Sequence, residues 1–164
     1  MRIPLHLTVA LGLATALLLG CGSNEPEAGP ADQTSSEPSA SETLPNGPID
    51  YTQIAMVSES NVDGTVSPRA VVLDSEAAVQ EFAGQFTGDQ MGKSLAREYA
   101  SADVPEGEAL VGAVVDVSCQ APSEVQVEKT NRGVEVTATA KVSKIQCLVP
   151  VTTVALVSVS EAAV

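Results

Sequence analysis

The chain has 164 residues, a formal net charge of −13, two Tyr, two Phe, no Trp and a single His. So acidic a chain repels nucleic acid and anionic lipid, and its eight dispersed Lys and Arg residues form no phosphate-tracking patch, so nucleic acid is excluded as a partner. The length suits one domain with one core rather than several.

Residues 1–20 read as a secretory signal. Arg2 precedes the apolar run Leu5 to Leu19, which has the length of a signal h-region and is short for a membrane span. Small Gly20 then precedes Cys21. On residues alone, a plain cleaved signal or an uncleaved anchor helix would also fit. Leu18-Leu19-Gly20-Cys21 resembles the lipobox of bacterial lipoproteins. The resemblance implies cleavage between Gly20 and Cys21, a diacylglyceryl group on the Cys21 sulfur and often an acyl (palmitate-type) chain on the new amino terminus. It also implies an address on the extracytoplasmic face of the cell membrane. In a cell with two membranes, Gly22 rather than Asp after the cysteine favours the periplasmic face of the outer one. Two or three acyl chains hold a protein stably where one does not.

Cleavage there removes His6, the only histidine. It also removes Arg2 and none of the 21 acidic residues, which takes the formal charge from −13 to −14. Residues 21–50 read as the lipidated cysteine followed by a Pro/Ser/Glu-rich tether with six acids, no bases and no aromatics. Such a segment buries too little apolar surface to offset its ordering entropy, so it acts as a disordered spacer or folds only on a partner.

Residues 51–164 read as one globular domain. Tyr51 to Val57 predicts a short strand, and Val66 to Leu73 another, broken near Pro68. Asp74 or Ser75 caps a helix carrying Val79, Phe82, Ala83 and Phe86 at i, i+3, i+4, i+7. Thr87-Gly88-Asp89 opens a second helix lined by Met91, Leu95, Tyr99 and Ala102, and residues 103–107 stop it. Ala109 to Val117 is a nearly unbroken apolar run, as expected of a central strand buried on both faces. Residues 124–128 and 134–142 alternate, and the Thr130-Asn131-Arg132-Gly133 turn between them predicts a hairpin. Val149 to Val159 predicts the last strand. The expected fold is therefore α+β, with two N-terminal helices packed on one face of an antiparallel sheet formed mainly by the C-terminal half. Phe82, Phe86 and Leu95 would cover that face; an aromatic cage would instead need the rings to converge.

Once Cys21 is lipidated, Cys119 and Cys147 remain, each at a strand boundary. In an exported domain they most simply form one structural disulfide. A redox pair is disfavoured by the absence of Cys-x-x-Cys, and a zinc site by the absence of further ligands. No metal or cofactor beyond the covalent lipid is expected.

The mature chain offers no imidazole, so Ser-His-Asp and Cys-His catalysis are excluded in cis. Lys93-Ser94 and Lys141-Val142-Ser143-Lys144 do not reproduce a Ser-x-x-Lys motif. Asp116 interrupts the apolar run and invites partial burial, either as a structural cap or ion-pair partner or as a functional carboxylate. Catalytic residues are not assigned, and an enzyme is not expected.

The segment Cys147-Leu148-Val149-Pro150-Val151-Thr152-Thr153-Val154, with Cys119 upstream, resembles small exported lipoproteins of uncharacterised function. A fainter likeness is to the PrcB type of protease-complex subunit, from which Cys119-Gln120-Ala121-Pro122-Ser123-Glu124 departs by lacking glycines and tyrosine. The expected function is a non-enzymatic, membrane-anchored domain that binds an envelope protein or wall component. The alternatives are a small-ligand carrier with an apolar pocket between helices and sheet, and a carboxylate hydrolase with two converging acids.

Overall fold

A computed structural model describes residues 44–139 and 146–164. Gly20, Cys21 and the rest of the chain before Leu44 lie outside the described residues, as does the segment containing Lys141, Val142, Ser143 and Lys144. In chain order the elements are β1 Gly47–Pro48, β2 Tyr51–Ser60, β3 Ser67–Val72, α1 Glu76–Ala83, α2 Gln90–Ser101, β4 Glu108–Ser118, β5 Val125–Thr130, β6 Gly133–Ala138, β7 Val151–Ser160 and a closing 3-10 turn, Glu161–Ala163. Seven strands pair antiparallel in the order β1-β5-β6-β3-β4-β7-β2, curled into a half-barrel.

β4 and β7 are the spine. Their alternate residues enter two different cores. Leu110, Val114, Val154 and Leu156 face the helices together with Leu73, Val79, Phe82, Phe86, Met91 and Leu95. Val111, Ala113, Val115, Ala155, Val157 and Val159 face the inside of the curl, against Val125, Val127, Val134 and Val136 of the β5–β6 hairpin. Burial on both faces explains the unbroken apolar runs of β4 and β7. Each fully buried Val or Leu contributes about 1.5–3 kcal/mol relative to exposure.

The curl brings the two ends of the sheet together. β1 pairs with β5 through Gly47 opposite Lys129 and Pro48 opposite Glu128. The Ile49 amide then donates to the Val127 carbonyl at 3.1 Å. Two residues on, the chain becomes β2, which pairs with β7 at the opposite end of the strand order. Side chains continue the seam: Tyr51 Oη donates to the Val125 carbonyl at 2.6 Å, and Gln53 Nε2 to the Ser123 carbonyl at 3.4 Å.

α1 starts at Ser75, whose Oγ accepts from the Ala78 amide at 3.2 Å, and ends at Gly84. Phe86 lies beyond the helix end, yet it is buried edge-to-face on Phe82, with ring centroids 5.9 Å apart. α2 is tied to β2 by Ser94 Oγ donating to Glu59 Oε1 at 2.7 Å. The loop from β2 to β3 crosses tightly over β7 at Gly64 (φ +127°), where a Cβ would sit 2.9 Å from Thr152 Cγ2.

The expected α+β arrangement is corrected by this architecture. The described residues are mostly antiparallel sheet, and the two helices among them do not come first: three strands precede them and four follow. The local signal for β2 and β3 is short in sequence, but β2 runs ten residues because β7 supplies a full-length partner. Residues 44–50 belong to the folded body, since Leu44 and Ile49 pack on the inner core.

Candidate functional site

The two cysteines come together as expected, in a Cys119–Cys147 disulfide with Cα atoms 5.4 Å apart. It joins the end of β4 to the segment entering β7, Leu148 and Val149 of which are exposed. Gly20 and Cys21, the cleavage and lipidation residues, lie outside the described residues.

Asp116 sits half-buried just past a register shift in β4, where Val115 is inserted between the Val114–Val154 and Asp116–Thr153 pairs. Its Oδ2 accepts from Ser118 Oγ at 2.6 Å. A cavity of about 550 Å³ beside the disulfide is lined by Val66, Asp116, Ser118, Cys119, Val136 and Ala138, among others. The four aromatic rings do not share a cage. Phe82 and Phe86 fill the helix-side core, Tyr51 closes the barrel seam and Tyr99 packs at the edge of that core. Lys93 and Ser94 point apart: Lys93 pairs with Asp89 at 2.5 Å, while Ser94 bonds Glu59. The Lys93 hydrogen bond, reinforced by its charge, holds the Asp89 carboxyl below its ordinary value.

The feature that sequence reasoning missed is a groove of about 790 Å³ at one end of the sheet. The end of β3, the C-terminal end of α2, the start of β4 and the closing 3-10 turn meet there. Its apolar part includes Val72, Leu73, Tyr99, Val104, Leu110 and Val164. Val72 and Val164 are exposed, whereas Leu73 and Leu110 belong to the core beneath. Its polar part includes four carboxylates, Asp74, Asp103, Glu108 and Glu161, and among the described residues no Lys or Arg lines it. Glu108 Oε2 accepts from Ser158 Oγ at 2.6 Å, which fixes that carboxylate at the foot of the groove. None of the four is in a salt bridge among the described residues.

A signal for this site exists in the sequence. Asp74, Asp103, Glu108 and Glu161 each stand just outside, or at the first residue of, a regular element. Only the strand order brings them together: Val72 lies opposite Val111, and Glu108 opposite Ser160. The acids do not converge tightly, since among the described residues no three His, Cys, Asp or Glu side chains are placed to hold one metal ion. The arrangement suits a ligand with spread positive charge and an apolar body.

The chain matches no known protein family, no curated protein and no solved structure.

Proposed function

We propose that this protein is a lipid-anchored, extracytoplasmic binding domain, held to its membrane through Cys21 and directed at an envelope protein or wall component. The observation that carries the reading is the Leu18-Leu19-Gly20-Cys21 motif closing an apolar signal-like run. The Cys119–Cys147 bridge supports it, because structural disulfides persist in oxidising compartments outside the cytoplasm. The domain's binding features are at its surface. The helix–sheet interior is filled by Leu73, Val79, Phe82, Met91 and Leu95, each at most 7% exposed, which favours a surface-binding module over an enclosed carrier.

The reading is tested in cells fed an alkyne palmitate analogue and then crosslinked. The full chain takes up label and recovers a partner, whereas a Cys21→Ala variant takes up no label and loses the partner. Equal capture with and without Cys21 would overturn the tethering part. Capture of no partner by the labelled chain would overturn the binding part.

A further inference from the structure

The groove between α2, β3, β4 and the closing 3-10 turn carries chemistry that specifies its occupant. We propose that it is a docking site for a cationic, apolar-sided peptide segment: an extended stretch of a partner protein carrying lysine or arginine beside leucine- or valine-like side chains. This assigns a partner class to the binding reading above and rests on it.

Four observations converge on that chemistry. The floor is apolar and partly open to solvent at Val72, Val164 and Tyr99, so an occupant gains by covering it. The carboxylates Asp74, Asp103, Glu108 and Glu161 line it without a base among them. Lys129, whose ammonium donates to the Ala163 carbonyl, is not among the lining residues. The C-terminal end of α2 opens into the same groove through Ala100 and Ala102, and its last turn contains no basic residue. A helix C-terminus presents partial negative charge that a cation there satisfies. Tyr99 is half-buried and lines the groove, so its ring offers an aromatic face to an ammonium or guanidinium group.

Charge disfavours two of the occupants that the chain itself could supply. The Glu-rich, base-free residues 22–43 would be repelled by this rim, and so would a second copy of a chain with net charge −13. A bare metal ion is disfavoured by the spacing of the acids. The volume of about 790 Å³ accommodates several side chains rather than one small amine.

The test uses the full chain in non-ionic detergent and three fluorescent nonapeptides read by polarisation: alternating lysine and leucine, lysine and glycine, and glutamate and leucine. The lysine–leucine peptide is expected to bind at least tenfold more tightly than the lysine–glycine peptide, with no saturable binding of the glutamate–leucine one. Asp103→Asn with Glu161→Gln should weaken it at least tenfold, whereas Glu124→Gln with Glu128→Gln, an equal charge change at two exposed positions outside the groove, should alter it less than threefold. In the unmodified chain, amide shift changes on titration should cluster at residues 72–74, 99–104 and 161–164. Equal weakening in both double variants, shift changes spread over β5, or equal binding of the glycine peptide would overturn the proposal. Failure of every peptide while a partner is still captured in cells would remove the groove assignment and leave the binding reading standing.

Discussion

Tyr51 occupies the first position of β2, and its side chain continues the seam that the β1–β5 backbone pairs begin. Its hydroxyl hydrogen bond to Val125 is one neutral, partly buried contact, so Tyr51→Phe is expected to lower stability by about 0.5–1.5 kcal/mol in urea denaturation. No change in the unfolding midpoint would mean that the seam is held by packing and the β1–β5 backbone pairs without this hydroxyl. The Cys119–Cys147 bridge spans 28 positions in the chain. Cys147→Ser should lower stability by about 3–4 kcal/mol on the loop-closure argument. Cysteine spacing at strand boundaries made this contact legible, because antiparallel neighbours put the end of one strand beside the start of the next. Asp89 gives a pH signature. Its folded carboxyl is held low by Lys93, so the contribution of the pair is present above the ordinary carboxylate range and is lost as pH falls through the folded value. Both side chains are exposed, so that contribution is small. An NMR titration should show Asp89 ionising below an ordinary aspartate, and Lys93→Ala should move it back up.

At the scale of elements, local chemistry set what was readable. The periodicity of Val79 and Phe82, and of Met91, Leu95 and Tyr99, marked both helices, and Ser75 marked a start. Ser75→Ala should cost about 1 kcal/mol, read as a lower thermal midpoint, because the Ala78 amide loses its acceptor. The run Ala109 to Val117 declared itself a doubly covered strand, and β4 lies between β3 and β7. Gly112 shows how closely its helix-side face is filled: a Cβ there would come 2.9 Å from Leu73 Cδ1 and 3.3 Å from Leu156 Cδ2. Leu73 and Leu156 are almost completely buried, so neither can swing away freely, and Gly112→Ala should destabilise by about 1–3 kcal/mol in the same denaturation assay. β1 was illegible for the opposite reason. Pro45-Asn46-Gly47-Pro48 has the composition of a linker, and only its pairing with β5 and the packing of Ile49 make it part of the sheet.

For the whole molecule, strand order is the quantity that local patterns withheld. The sequence shows which segments are extended, but not that β2 would join β7 at one end of the sheet while its own upstream residues join β5 at the other. That single continuity turns an expected antiparallel sheet of mainly C-terminal strands under N-terminal helices into a half-barrel with helices inserted after β3. The same order gathers acids from four separated elements at one groove, and for that reason the candidate site was not readable residue by residue. Charge was readable: a chain this acidic carries a field that favours cations over polyanions, and the groove's carboxylates share its sign.

The proposed anchor organises the rest, since it sets the start of the mature chain, the compartment of the disulfide and the reach of the groove. It is tested most directly by intact-mass spectrometry of the protein extracted from membranes under non-reducing conditions. The expected mass is that of a chain beginning at Cys21, heavier by a diacylglyceryl group with or without an additional acyl chain, and lighter by two hydrogens for the Cys119–Cys147 bridge. A mass showing residues 1–20 retained, or Cys21 unmodified, would contradict it.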